Sequence, residues 1–241
     1  MNLKATAPST LCGHIKLPAS KSISNRMLLL SQLAGGSIAL NNISDCDDTR
    51  AMESGVRQCE SRRLREHFVG GQHSRADIKS ARAERQSYQI SNIDVGAAGT
   101  AMRFLTAFFA STPCDVVITG TERMLHRPIG VLVNALRSLG ADISYAGEEG
   151  FPPLQIKGHL LEGGSVQLPG NVSSQYISAL LMIAPTMRKG LTLSITGEVI
   201  SRPYINITLS LMRQFGIAID EGLLSVVPVW MQTSSRWSSA R

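Results

Sequence analysis

Leu17-Pro-Ala-Ser-Lys-Ser-Ile-Ser-Asn-Arg-Met-Leu-Leu-Leu30 joins a polar turn to the start of an apolar helix. Pro18 disfavours a helix at the beginning of this stretch, and the run from Met27 onward predicts a helix body. Three serines between these points are good N-cap residues: Ser20, Ser22 and Ser24. The stretch therefore predicts a helix whose N-terminus lies among small hydroxyl side chains.

This helix start is a candidate anion site. Its first backbone N–H groups have no partner within the helix, and the helix dipole also favours a negative charge there. Lys21 and Arg26 add two positive charges at the same end. Two interpretations are open at this point: a solvated basic turn, or a cradle for a highly charged small molecule.

The composition is typical of a folded, basic protein. Hydrophobic residues make up 43% and charged residues 17% of the 241 residues, which argues against wholesale disorder. The formal net charge of +6 and the pI near 9.4 favour an anionic partner or a basic surface. Nucleic acid is one such partner, but aromatic residues, at 5%, offer few platforms for base stacking.

The cysteines predict reduced thiols rather than disulfides or a metal site. Cys12, Cys46, Cys59 and Cys114 stand far apart, without a Cys-x-x-Cys pair or metal-spaced histidines. The N-terminus lacks the shape of a signal peptide, and the longest apolar run is too short to cross a bilayer. We expect a soluble cytoplasmic protein with no metal and no cofactor.

A first unit of helix, strand and helix follows from the opening stretch. Gly35-Gly36 should end the first helix, and Ser37–Ile43 alternates like a short strand. An acidic turn, which includes Asp47 and Asp48, then opens a second helix.

A second unit has the same plan. Residues 96–110 predict a helix with Thr100 as its cap, and residues 115–121 predict a strand. Residues 127–137 predict a helix with Pro128 in its first turn.

A third unit repeats the plan again, with helices at 169–182 and 202–212 and a strand at 191–197. A Thr-Gly pair precedes an Arg-Pro pair at Thr119-Gly120 and Arg127-Pro128, and again at Thr196-Gly197 and Arg202-Pro203. This is a repeat of roughly 75 residues, longer than common solenoid periods. It predicts a closed pseudo-threefold α/β domain whose helix N-termini converge on one side.

Two segments lie outside the repeat. Residues 60–87 lose periodicity and are rich in arginine, and a nucleic-acid arm, a surface insertion and a stretch read in the wrong frame are all possible explanations. The tail at 221–241 is also without pattern. We therefore expect a three-unit lobe at 21–220 that contains the irregular segment, with an irregular tail after it.

Five motifs in this order make the chain resemble the EPSP synthase (3-phosphoshikimate 1-carboxyvinyltransferase) family. They are 17–26, Ala98-Gly-Thr-Ala-Met-Arg103, Arg127-Pro-Ile129, Val172-Ser-Ser-Gln175 and Ser201-Arg-Pro-Tyr204. The resemblance implies two lobes of three βαβαββ-type units each, with the active site in the cleft between them. It also implies that residues 1–20 belong to the other lobe, which is largely missing from this chain.

The resemblance further implies a reaction of the shikimate pathway toward chorismate and the aromatic amino acids. The enolpyruvyl group of phosphoenolpyruvate passes to the 5-hydroxyl of shikimate 3-phosphate, by addition and then elimination of phosphate. No position here matches the family's catalytic base or acid, which belong to the second lobe. We expect this chain alone to bind shikimate 3-phosphate with little or no turnover, as a monomer without nucleic acid or membrane partners.

The resemblance also implies which side chains hold the two substrates. Those for shikimate 3-phosphate are Lys21, Ser22, Arg26, Ser173, Ser174, Gln175, Ser201 and Tyr204. Those for phosphoenolpyruvate are Lys21, Gly99, Thr100, Arg127 and Gln175. Ala97 departs from relatives that carry Asn at this position.

Several alternatives stay open for single residues. Arg103 could contact a ligand or pair with an acidic side chain, Thr100 could be only a cap, and Tyr204 could be only packing. His14 and His126 have no partner at a useful spacing and are expected on the surface.

Two other functions are also open for the whole chain. One is an enolpyruvyl transferase for a nucleotide sugar, and the other is a basic nucleic-acid-binding protein.

Overall fold

The computed structural model describes residues 17–36, 38–69, 91–220, 222 and 224–226, with backbone alone at 59–69. The helices are α1 (Lys21–Leu33), α2 (Asp47–Val69), α3 (Gly99–Ala110), α4 (Glu122–Leu125), α5 (Gly130–Ser138), α6 (Ser174–Ile183) and α7 (Arg202–Gln214), with a 3-10 turn at Ala184–Thr186. The strands are β1 (Ser91–Asp94), β2 (Cys114–Thr119), β3 (Asp142–Tyr145), β4 (Leu154–Gly158), β5 (Gly164–Pro169), β6 (Leu191–Thr196), β7 (Ile219–Asp220) and β8 (Ser225–Val226).

The strands form two sheets of the same design. The first has the order β1-β2-β4-β3 and the second the order β5-β6-β8-β7. In each sheet the first pair is parallel and the other two pairs are antiparallel. The chain therefore contains two complete βαβαββ units, which confirms the predicted α/β repeat. Helices α1 and α2 are the two helices that the repeat assigns to the first unit.

Each sheet buries one face. In the first sheet Val116 lies opposite Ile156 and Ile118 opposite Leu154, and all four side chains are buried. In the second sheet Leu191 pairs with Val226. This alternation gives each sheet an apolar face for the helices.

Helices α3 and α6 form the centre of the core. Both are apolar nearly all round, and almost every residue in them is buried. A helix of this kind needs neighbours on every side. Helix α3 packs against α1, α2, α6 and strands of the first sheet.

The ends of α1 follow the sequence signals. Ser20 is the N-cap, and its hydroxyl accepts a hydrogen bond from the Ile23 N–H at 3.4 Å. Gly35 and Gly36 follow the helix with φ of 96° and 74°, a conformation that glycine adopts without steric cost. The acidic pair Asp47 and Asp48 opens α2, as predicted.

Three local predictions were wrong, and one short helix was missed. Residues 38–43 form no strand, since Asn42 has a φ of 56° that interrupts an extended chain. Thr100 is not a cap, because α3 begins at Gly99 with Ala98 as N-cap. Pro128 precedes α5, which starts at Gly130. The short helix α4 was not predicted at all.

The segments expected to be irregular are partly regular. Helix α2 continues to Val69, inside the arginine-rich segment 60–87, and residues 70–90 lie outside the described part. Strand β8 lies inside the predicted tail and pairs with β6, so the third unit extends to Val226. Residues 1–16 are also outside the described part, and the assignment of 1–20 to another lobe stays a prediction.

Candidate functional site

The Arg26 side chain lies buried where α1 meets α6 and α7. Its Nε donates to Thr208 Oγ1 at 2.7 Å, and its Nη2 donates to Ser178 Oγ at 3.2 Å. The backbone oxygens of Ser22 and Tyr204 accept from Nη1 and Nη2, at 2.8 Å and 3.5 Å. Arg26 therefore links three helices near their N-terminal ends.

The Arg26 charge has no acidic partner among the described residues. Only 2% of the residue is exposed, and the face of the Phe104 ring lies 5.3 Å from its Cζ. Burial lowers the pKa of Arg26 from its ordinary value to about 10, although the nearby Tyr204 acts to raise it. The guanidinium stays charged at neutral pH, so the interior of the lobe carries an uncompensated positive charge at this point.

Lys21, the first residue of α1, faces α2. Its Nζ lies 3.3 Å from Asp48 Oδ2, and about half of the Lys21 side chain is exposed. An ion pair this exposed holds the ammonium only weakly. Lys21 can therefore turn to a ligand anion at little cost.

Two guanidinium groups meet at the start of α3. A Cβ placed on Gly99 would lie 2.5 Å from Arg127 Nη1 and 2.9 Å from Arg103 Nη1. Only glycine leaves room for both groups at this position. Neither arginine forms an ion pair with a carboxylate in the described part of the chain, so the pair is available to an anion.

Arg103 is held in place by neutral groups. Its Nη1 donates to the Gly99 oxygen at 2.8 Å, and its Cζ lies 5.4 Å from the centre of the Tyr176 ring. The Tyr176 hydroxyl in turn donates to the Pro128 oxygen at 2.7 Å. Of the two roles left open for Arg103, pairing with an acid finds no support among the described contacts. Its Nε is buried without a partner there.

The first turns of α3 and α6 are joined directly. Gln175 Nε2 donates to Thr100 Oγ1 at 3.0 Å. Both residues were predicted to line the phosphoenolpyruvate site, and this contact brings Gln175 to the helix that carries Gly99. Thr100 thus has a contact across helices rather than the predicted capping role.

The remaining predicted residues lie at the starts of α6 and α7. Ser173 is the N-cap of α6, and its hydroxyl accepts from the Gln175 N–H at 3.3 Å. Ser174 is buried beside it. Ser201 precedes α7 with a φ of 63°, a left-handed conformation that is uncommon for serine and concentrates at functional sites.

Tyr204 in the first turn of α7 has 47% of its surface exposed. This exposure argues against the alternative that Tyr204 is only packing. Its backbone oxygen accepts from both Arg26 and Thr208, so the ring is anchored at a fixed point on the lobe surface.

The structure thus gathers the predicted residues into two groups. One group contains Gly99, Thr100, Arg127 and Gln175, and the other contains Ser22, Arg26 and Tyr204. No hydrogen bond or ion pair among the described residues joins Lys21 to either group. His126 is on the surface, as predicted, with Nδ1 2.8 Å from the Glu122 oxygen, and His14 lies outside the described part.

Sequence reasoning missed three residues that contact this site. Tyr176, Ser178 and Thr208 lie in segments that were assigned to helices and given no further role. Ser178 offered a signal, since it is a polar residue inside the apolar run of α6 and is fully buried.

The described part of the chain contains no group of three or more histidine, cysteine, aspartate or glutamate residues placed to hold a metal ion. Cys114 Sγ donates to the Phe109 oxygen at 3.3 Å, and Cys46 Sγ lies 3.2 Å from Thr49 Oγ1. None of the helices described there has the length and apolarity that a bilayer crossing requires.

Comparison with known proteins gives a consistent picture. The family model for EPSP synthase (3-phosphoshikimate 1-carboxyvinyltransferase) matches residues 5–232. A 3-phosphoshikimate 1-carboxyvinyltransferase of Bacteroides fragilis strain YCH46 is 50% identical over 216 residues, which are 90% of this chain and 45% of that protein. One from Shewanella pealeana is 43% identical, over 86% of this chain and 48% of that protein.

A solved structure of EPSP synthase from Acinetobacter baumannii has the same fold. Its TM-score is 0.64 with 22% sequence identity, over 89% of this chain and 46% of that one. The chain thus spans about half the length of the relatives that it matches. Because the family model matches most of its residues, this chain belongs to the EPSP synthase (3-phosphoshikimate 1-carboxyvinyltransferase) family.

Proposed function

We propose that this chain supplies the shikimate-binding half of an enzyme that transfers the enolpyruvyl group of phosphoenolpyruvate to the 5-hydroxyl of shikimate 3-phosphate. The observation that carries the proposal is the meeting of Arg127 and Arg103 at Gly99, beside the Thr100–Gln175 hydrogen bond. Two arginines without acidic partners in the described structure suit a phosphate or carboxylate. Family membership supports the choice of these two substrates.

Shikimate 3-phosphate binds, in this proposal, across the starts of α1, α6 and α7. The side chains that hold it are Lys21, Ser22, Arg26, Ser173, Ser174, Gln175, Ser201 and Tyr204. The exposed ring of Tyr204 and the strained backbone of Ser201 support this position. The Arg26 guanidinium already donates four hydrogen bonds within the protein. It therefore acts on the ligand mainly through its charge and through the one N–H of Nη1 that remains unused.

Phosphoenolpyruvate binds beside it, at the starts of α3 and α6. Arg127 and Gly99 hold its charged groups, and Lys21, Thr100 and Gln175 complete the contact. Gln175 then lies between the two substrates, since it is bonded to Thr100 on one side and adjoins Ser174 on the other. Fixed cations at this point bring two anionic molecules together and stabilise charge during addition.

We propose that the chain alone binds shikimate 3-phosphate but turns over slowly or not at all. Proton transfer at the 5-hydroxyl and at the methylene carbon needs an acid and a base. No position in the sequence matches the family motifs that carry these two groups, and about half the length of the relatives has no counterpart here. We also propose a cytoplasmic monomer that needs no cofactor.

The rival functions have less support. Both relatives described above carry the shikimate name, which favours shikimate 3-phosphate over a nucleotide sugar. A nucleic-acid role rests on net charge and on the arginine-rich segment alone.

Two measurements test the proposal. Calorimetric titration of the chain with shikimate 3-phosphate should give saturable binding that a nucleotide sugar does not displace. With both substrates present, phosphate release should not exceed that of an Arg127→Ala variant. Release well above that variant would show that the chain is a complete catalyst and would contradict the half-enzyme proposal. The absence of binding would contradict the substrate.

A further inference from the structure

Two buried hydroxyl groups accept hydrogen bonds from the Arg26 guanidinium. Ser178 and Thr208 are fully buried, and their hydroxyl oxygens lie 2.8 Å apart. Each of them also accepts a hydrogen bond from Arg26. The acceptors that surround the buried Arg26 in the described part of the chain are thus neutral oxygens and not a carboxylate.

The hydrogen bonds fit a single arrangement of protons. Thr208 donates to the Tyr204 oxygen at 3.0 Å, so its lone pairs accept from Arg26 Nε and from Ser178. Ser178 then donates to Thr208 and accepts from Arg26 Nη2. Every hydroxyl hydrogen has one acceptor, and Thr208 is the centre of the arrangement. Loss of the Thr208 hydroxyl would remove the acceptor of the shortest hydrogen bond that the buried Arg26 donates, the one from Nε.

The network lies one helical turn beneath the candidate substrate site on three helices. Arg26 follows Ser22 by four residues, and its Nη1 donates to the Ser22 oxygen. On the other two helices Ser178 follows Ser174, and Thr208 follows Tyr204, at the same interval. Residues four apart on a helix lie above one another on one face. The network therefore fixes how far apart the three first turns stand.

We propose that Thr208 and Ser178 are positioning residues for shikimate 3-phosphate, which they do not touch. They set the spacing of the first turns of α1, α6 and α7 through Arg26, and that spacing decides whether one ligand can reach groups on all three helices. The inference rests on the proposed function, because it takes the ligand to be shikimate 3-phosphate. It adds two residues that the family motifs quoted above do not include.

Thr208→Val removes the hydroxyl and keeps the shape of the side chain. We expect it to raise the Kd for shikimate 3-phosphate by about tenfold or more, because a charge-assisted hydrogen bond is lost and the helix starts shift. Thr208→Ser restores the hydroxyl and should bring the Kd back to near the unaltered value. Inorganic phosphate is smaller and contacts fewer helix N-termini at once. In Thr208→Val its binding should therefore weaken less than that of shikimate 3-phosphate.

Thr106→Val is the matched control. Thr106 is also fully buried, but its hydroxyl donates to the Met102 oxygen within α3 at 2.7 Å and does not contact the network. This variant should leave the Kd unchanged. Should Thr208→Val fail to fold, Ser178→Ala removes the second acceptor at a smaller change in volume and should also raise the Kd.

Each outcome bears on one claim. Equal Kd values for the unaltered chain and Thr208→Val, or equal losses in Thr208→Val and Thr106→Val, would overturn the positioning role while the proposed function stands. If the unaltered chain did not bind shikimate 3-phosphate, the proposed function would fail and this inference with it.

Discussion

Gln175 Nε2 donates a 3.0 Å hydrogen bond to Thr100 Oγ1, and the two residues are 75 positions apart. That separation equals the distance between Arg127 and Arg202 in the two Arg-Pro pairs. Each residue is the second of its helix, Thr100 in α3 and Gln175 in α6. Equivalent positions of two repeated units therefore meet, which is what convergence of the helix N-termini requires.

The Thr100–Gln175 contact predicts the effect of removing one hydroxyl. Thr100→Val leaves the Gln175 amide without its acceptor and should destabilise the chain by about 1 kcal/mol. For a domain of this size that is a fall in Tm of roughly 2–4 °C. Thr100→Ser keeps the hydroxyl and is the control. The Tm is measured by thermal unfolding followed by circular dichroism. Equal Tm values for Thr100→Val and the unaltered chain would show that this hydrogen bond does not contribute to stability.

Arg127 should bind the second anion. Arg127→Ala removes one of the two guanidinium groups at Gly99, so phosphoenolpyruvate added in the presence of shikimate 3-phosphate should no longer raise the Tm. Arg127→Lys should recover only part of the effect, because an ammonium cannot bind a phosphate with two parallel hydrogen bonds. The exposed Arg123 in neighbouring α4 serves as the control, and Arg123→Ala should behave like the unaltered chain. The same loss in Arg123→Ala would mean that only net charge matters.

Gly99 should accept no larger residue without a change at the anion site. The added methyl group of Gly99→Ala would lie in the space of Arg127 Nη1 and Arg103 Nη1. Both are ends of flexible side chains, so the fold should survive with an unchanged Tm. The guanidinium groups must move, however, and the response to phosphoenolpyruvate should fall. An unchanged response would show that the two arginines do not form the anion site in their present positions.

Lys21 should matter for the ligand much more than for stability. Lys21→Ala and Asp48→Asn both break the same ion pair, which is half exposed, so each should cost about 1 kcal/mol or less. Only Lys21→Ala removes the cation that we propose contacts the ligand, and only this variant should lose most of the Tm rise with shikimate 3-phosphate. A similar loss in both variants would instead indicate that the ion pair itself shapes the site.

The pKa of Arg26 determines the pH range in which its charge can affect stability and ligand binding. Because burial lowers this pKa to about 10, the folded state loses the proton before the unfolded state does as the pH rises. The desolvation cost of the charge is therefore fully present below about pH 10, and it disappears as the pH rises from there to the ordinary pKa of arginine. Between about pH 7 and 8.5 Arg26 stays charged, and we expect the Kd for shikimate 3-phosphate to stay constant. Calorimetry at several pH values in this range checks the prediction, and a steep loss of affinity would contradict it.

The repeat and most helices could be predicted from local signals. Ser20 and Ser173 are N-caps, Gly35 follows a helix end, and Pro203 lies in the first turn of α7. These residues influence the backbone conformation next to them in the chain, so their effect can be predicted from a single stretch of sequence. The strand that was expected at 37–43 could not be judged in this way, because a strand depends on a partner and on a continuous extended backbone, which Asn42 interrupts.

The candidate site was only partly predictable for the same reason. The family motifs identified Arg26 and Gly99, but not that Arg26 points into the lobe or that Gly99 makes room for two arginines. Ser178 and Thr208 act across helices on a residue far away in the sequence, and no local pattern reveals such a contact. Arg103 illustrates the limit: sequence left its partner open, and the structure places it on Tyr176 and Gly99.

The most direct test of the account is the melting transition of the purified chain with and without millimolar shikimate 3-phosphate. A ligand that binds only the folded state must raise the Tm. We predict a saturable rise of several degrees, most of which is lost in Lys21→Ala. A cooperative transition without any rise would contradict the account, since it would show that the helix starts do not form a binding site in this chain.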